Sequence, residues 1–212
     1  MSTRMRALLF CVALLSCSNA FAQATSPQQR PAEANTVTVA KVLVGGALGL
    51  GLHESGHLVF DEAFGADPGM RRVSFGGIPF FAITHSEVSP VREFTISSAG
   101  FWVQHVTDEM LLSSSRDLRH RHAPLLKGWL AFNVLTSVGY AGAAFARTGP
   151  LERDTRGIAA SAGVAEPWIG AAILAPAALD AMRYFHPESR VLKWASRATK
   201  IGGALLVVKA AR

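Results

Sequence analysis

An uncharged apolar run, Val42 to Leu52 (VLVGGALGLGL), ends directly in His53-Glu54-Ser55-Gly56-His57. This junction restricts the possible folds more than any other stretch. An apolar run of that kind is the body of a water-avoiding helix. Histidines at i and i+4 lie on one face of a helix, so two imidazoles can grip one metal ion. The H-E-x-x-H spacing also puts a glutamate between them, placed to act as general base toward a zinc-bound water. Ionisable groups at membrane depth are costly and mark function. A helix bundle in a membrane, built around a Zn²⁺ site of His53, His57 and catalytic Glu54, is the expectation.

Composition agrees. The chain has 212 residues, of which 50% are hydrophobic and 17% charged, too apolar and charge-poor for an ordinary soluble domain. The net charge of +6 is spread over connecting segments. No basic block or aromatic-interleaved basic stripe points to nucleic acid, and membrane lipids with anionic headgroups are the expected partner. Residues 1–22 read as a secretory signal peptide. Arg4 and Arg6 form its basic start, ALLFCVALL its apolar stretch, and Ala20-Phe21-Ala22 its cleavage site. A lipoprotein signal acylating Cys17, or a retained anchor helix, are the rivals. Cys11 and Cys17 both lie in this segment, so a processed chain has no cysteine for a disulfide or a metal. The expected location is a bacterial-type inner membrane, crossed several times.

After a polar linker (23–36), apolar segments predict a mainly α fold: a polytopic membrane bundle of about four to five helices. The segments run over Val37–Phe60, Phe94–Leu112, Leu125–Phe145 and Ile158–Tyr184 within a metalloprotease-like core, 37–190. A basic apolar helix over Val191–Val208, in the C-terminal segment 191–212, is expected on the membrane surface with its cations in the headgroups. Arg72 to His85 is rich in β-branched and aromatic residues around a Gly-Gly-Ile-Pro break. It predicts a small β-hairpin between the first two core helices. Gly45 and Gly49 form a G-x-x-x-G that admits a close neighbouring helix. Trp102, Trp129 and Trp168 suit interface anchoring. An exported N-terminus directs the first helix inward, and Arg71, Arg72 and Arg92 suit a cytoplasmic connection, whereas the basic residues after the second helix run against that rule.

A catalytic zinc takes three protein ligands and keeps one open position. The third ligand is not a histidine six residues after His57, because that residue is Ala63. Glu87 and Glu109 are available acids outside any convincing helical motif. Asp180, at the end of the apolar run ILAPAALD, is the favoured choice, since an acid there needs a cation or a donor. Its alternative role is a helix-end cap or an ion pair with Arg183. His105 with Asp108 reads as a polar bundle contact, with a second metal site or a pair supporting the first as alternatives, and His120 with His122 as headgroup contacts.

In this order of motifs the chain resembles the site-2 protease family of intramembrane zinc metalloproteases, over about Val37 to Tyr184. The residues that carry the resemblance are HESGH late in an apolar helix, the small-residue motif Ser98-Ala99-Gly100 with Gln104 where the family usually has Asn, and Leu179-Asp180 behind Pro176. Ala181 stands where the family usually has Gly, and the Asn usual upstream is absent. The resemblance implies zinc held by His53, His57 and Asp180, Glu54 as proton shuttle, and substrate binding at Gly100 and Gln104. It implies a membrane-protein or signal-peptide substrate, unwound before hydrolysis because helical peptide bonds are internally hydrogen-bonded. An edge of the hairpin would hold the unwound strand. The alternatives are a non-enzymatic membrane bundle (a scaffold or transporter-like protein) with a structural or vestigial metal site, and a soluble exported zinc hydrolase.

Overall fold

The computed structural model describes residues 35–210 except 76 and 116, with the side chains of 75, 78 and 204–210 also left aside. The segment read as a signal peptide and nearly all of the expected linker lie outside the described residues. The chain divides into two units, residues 1–38 and residues 39–212, and the elements below are those of the second, α1 beginning a few residues earlier.

The described residues form six helices and one two-stranded sheet. In chain order these are α1 (Asn35–Phe64), β1 (Gly69–Phe75), β2 (Ile78–Thr84), α2 (Pro90–Ser114), α3 (Pro124–Ala146), α4 (Asp154–Ala162), α5 (Glu166–Phe185) and α6 (Arg190–Ala210). Local chemistry sets the boundaries. Pro90 and Pro124 open α2 and α3, where a missing N–H costs nothing. Gly65 (φ +65°) follows the end of α1, and Gly163 (φ +65°) caps α4 in the left-handed region that glycine enters freely. The strands pair antiparallel, with Arg72 opposite Phe81 and Gly69 opposite Thr84.

One expected helix is two. The segment Ile158–Tyr184 breaks between Ala162 and Glu166, and α4 and α5 are bent by 120° to each other. The Gly163 cap and the Glu166-Pro167 start explain the break, which the apolar composition across it conceals.

α3 packs along α5, α2 against α4, and α5 against α6. Phe101, Ile158 and Ile173, from α2, α4 and α5, make a small apolar core joined by Phe94, Tyr140 and Ile169. The G-x-x-x-G of α1 receives α3. A Cβ on Gly45 would overlap the carbonyl of Leu125, and one on Gly128 would overlap the carbonyl of Val42. The two backbones therefore touch where both helices have lost their side chains. Trp129 is buried in this contact, with its Cδ1 3.2 Å from the Cβ position of Gly49, and is not an interface anchor, whereas Trp168 is exposed.

Polarity runs inside out. Asp61, Asp108, Asn133 and Asp180 are at most 2% exposed, while Leu43, Leu135 and Trp168 are 68%, 67% and 73% exposed. Water would reject such a surface, and lipid would accept it. By length and composition α1 and α3 can cross a membrane, and the bent α4–α5 pair would make a third span if counted as one. α6 shows the same inversion. Arg197 and Lys200 do not reach outward to headgroups, as expected from sequence. They turn inward onto Glu109 (2.8 and 3.4 Å), and Lys200 onto Asp180 (2.7 Å), while Val191, Trp194 and Ile201 face out.

Candidate metal centre

Helical spacing brings His53 and His57 onto the buried face of α1, where they are 2% and 4% exposed. Two glycines make room for them. Gly56 rests against the backbone of Ala99 and Gly100 on α2. Gly100 rests against the His53 ring, and a Cβ there would lie 2.5 Å from Cε1. Gly100 therefore seats a histidine. His57 Nδ1 donates to the carbonyl of Ile96 at 2.8 Å. Because a carbonyl only accepts, Nδ1 carries the proton and Nε2 presents its lone pair. His53 Nδ1 has no partner among the described residues.

The third convergent group is Asp154, in the first turn of α4, and not Asp180. His53 Nε2 lies 3.3 Å from His57 Nε2, and Asp154 Oδ2 lies 3.1 Å from the former and 3.5 Å from the latter. Ligand bonds of about 2.0–2.1 Å in tetrahedral geometry put neighbouring ligand atoms about 3.3–3.4 Å apart. The three observed separations bracket that value. These residues thus form one face of a tetrahedron and could hold a metal ion, and they are the one such group among the described residues.

Asp154 is held there by its neighbours. Arg153 makes a bidentate pair with Glu166 of α5 (2.7 and 2.6 Å), and Thr155 Oγ1 donates to the same carboxylate at 2.7 Å. The residues on both sides of Asp154 are therefore tied to one anchor. Gly157 lets α4 close on α2, since a Cβ there would overlap Ser97 Oγ.

The other sequence candidates lie elsewhere. Asp180 is fully buried and accepts from Ser196 Oγ (2.6 Å), Arg183 Nη1 (3.3 Å) and Lys200 Nζ (2.9 Å). Its charge is answered by two cations, one from α6, so it needs no metal. Glu109 pairs with Arg183 (2.5 Å) and Arg197. Glu87 is exposed between β2 and α2. Gln104 is buried in α2, and neither end of its amide has a partner among the described residues. His105 packs edge-on against Trp102, and Asp108 accepts from Asn133 Nδ2 at 2.7 Å.

A cavity of about 480 Å³ opens beside the triad, lined by His53, Glu54, His57 and Asp154, by Tyr140 of α3, and by β2 from Phe80 onward. Glu54 is half-buried on this wall. β2 pairs only with β1, so its other edge is free of strand partners among the described residues.

Fold and site together define a mainly helical chain, with helices apolar enough to span a membrane and a His-His-Asp group able to hold a metal ion. No family model, curated protein or solved structure matches the chain.

Proposed function

We propose that this protein is an intramembrane zinc metalloendopeptidase, similar to site-2 proteases, working within a multi-pass bundle of a bacterial-type inner membrane on membrane-embedded substrates. One observation carries the reading: three ligands, not four, converge on a cavity wall, with Glu54 on the same wall. Structural zinc sites are closed by four protein ligands, whereas catalytic sites keep a position open. A scaffold with a structural ion would require a fourth ligand, and none converges here among the described residues.

His53, His57 and Asp154 fit zinc by donor type and spacing. When bound, the ion would supply Lewis acidity and a water acidified toward neutrality. The chain's own groups do the rest. The His57–Ile96 bond keeps Nε2 free to ligate. Glu54 takes a proton from the attacking water and returns it to the leaving amine. The free edge of β2 offers main-chain partners to a substrate strand that has left its helix. The burial of His53 and His57 strengthens the electrostatic contacts they make.

The test is the variant Glu54→Gln, which removes the base and no ligand. Zinc content should stay at that of the unaltered chain, and cleavage of a membrane-helix substrate should fall by about 10²–10⁴-fold. Unimpaired cleavage by that variant would rule out this mechanism.

A further inference from the structure

The cavity wall carries a second buried feature that the hydrolytic site does not use. Asp61 follows His57 by one helical turn and lies on the same face of α1. It is fully buried, lines the cavity, and neither carboxylate oxygen has a partner among the described residues. A buried carboxylate without a donor is among the costliest arrangements a protein can hold.

Among the described residues, the ionisable side chains around it are engaged elsewhere. The ionisable groups facing Asp61 are His57 of its own helix, His85 after β2, and Glu93 of α2. His57 gives its Nδ1 proton to Ile96 and turns Nε2 to the metal face. His85 Nε2 lies 3.3 Å from Glu93 Oε2, and Glu93 Oε1 accepts from Ser97 at 2.7 Å. Arg153, the arginine that lines the cavity, is committed to Glu166, and Arg71 of β1 pairs with Glu152. Among the described residues the wall therefore presents acids, among them Glu54, Asp61 and Glu93, while its one arginine is already paired.

We infer that Asp61 is the recognition point for a cationic side chain, lysine or arginine, on the extended segment that occupies the cavity. The inference rests on the proteolytic reading for the occupant being a peptide. The hairpin gives it a register. The turn after α1 is tied to the end of β2, with Ala66 N–H donating to the carbonyl of Asp61 and Ser86 N–H to that of Ala66, both at 2.8 Å. A strand laid along β2 meets the stacked Phe80 and Phe81 at one end and Asp61 at the other. The separation from Phe80 to Thr84 is about 13 Å at the rise of a strand. The preferred segment thus carries a cation about four residues from a large apolar side chain.

The experiment uses the full chain in detergent, carrying Glu54→Gln to stop turnover and loaded with zinc. The probes are fluorescent peptides of about ten residues, enough for one strand, identical except for lysine or norleucine at one scanned position. At the best position the lysine peptide should bind at least about tenfold more tightly, as a buried charge-assisted hydrogen bond provides. Asp61→Asn, an isosteric change, should bring the ratio to about one. A ratio near one with Asp61 in place overturns the inference, as does a lysine preference that survives Asp61→Asn. Offering the same peptides to the chain with Glu54 intact separates the two readings. A lysine preference without cleavage would keep Asp61 as a cation site and remove the protease; cleavage without the preference would do the reverse.

Discussion

His53 shows how much of the site depends on a single atom's worth of space. Its ring is seated because residue 100 has no side chain, and Gly100→Ala would press a methyl group to within 2.5 Å of Cε1. The ring must move, and a displaced ligand typically costs about 10–100-fold in metal affinity. Chelator competition on Gly100→Ala should show that loss with helix content unchanged; unaltered affinity would mean the ring has room to spare. The two histidines and Glu54 were legible in the sequence because helical periodicity alone puts them together. Asp154 was not. It sits in the polar stretch Leu151-Glu152-Arg153-Asp154-Thr155, where an acid at a helix start is ordinary. An acid at the end of an apolar run needs a cation, which favours Asp180 as a ligand. Here the cations are Arg183 and Lys200, and Lys200 lies on a helix that no local pattern brings near.

Among the elements, α4 matters most to the site, because it delivers Asp154. Its placement depends on the Arg153–Glu166 pair across the α4–α5 bend, with side chains only 9% and 11% exposed. Removing one partner of a buried pair leaves the other charge uncompensated, at about 3–5 kcal/mol. Glu166→Ala should therefore lower the thermal midpoint by several degrees and weaken metal binding by about tenfold or more, although Glu166 is not a ligand. Wild-type affinity in a destabilised variant would separate fold from site and remove the clamp argument. The elements themselves were mostly readable: α3 lies within one residue of its expected span at each end, and the hairpin falls where β-branched and aromatic residues cluster. The α4–α5 break is hidden in the sequence because apolar composition continues through Gly163, and composition does not report direction.

At the scale of the whole molecule the dominant fact is inverted polarity. Charged groups from α2, α5 and α6 meet in the interior, and leucine, valine and tryptophan face outward. The sequence conveyed the apolar excess, but not that the cations of α6 point inward, because pairing with Glu109 and Asp180 exists only once α2, α5 and α6 are together. Membranes from expressing cells should retain the protein through carbonate washing, and its release into the supernatant would contradict a lipid-facing surface. The triad draws together distant parts of the chain, since α1 supplies two of the candidate ligands and α4 the third across about a hundred residues. Zinc titration of the purified full chain against a competing chelator, with Asp154→Ala and Asp180→Asn side by side, tests that convergence most directly. About one tight Zn²⁺ per chain is expected, as for a single catalytic site. Asp154→Ala should lose tight binding, while Asp180→Asn should keep it and lose only stability. Full zinc binding by Asp154→Ala, or its loss in a folded Asp180→Asn, would contradict the His53–His57–Asp154 centre.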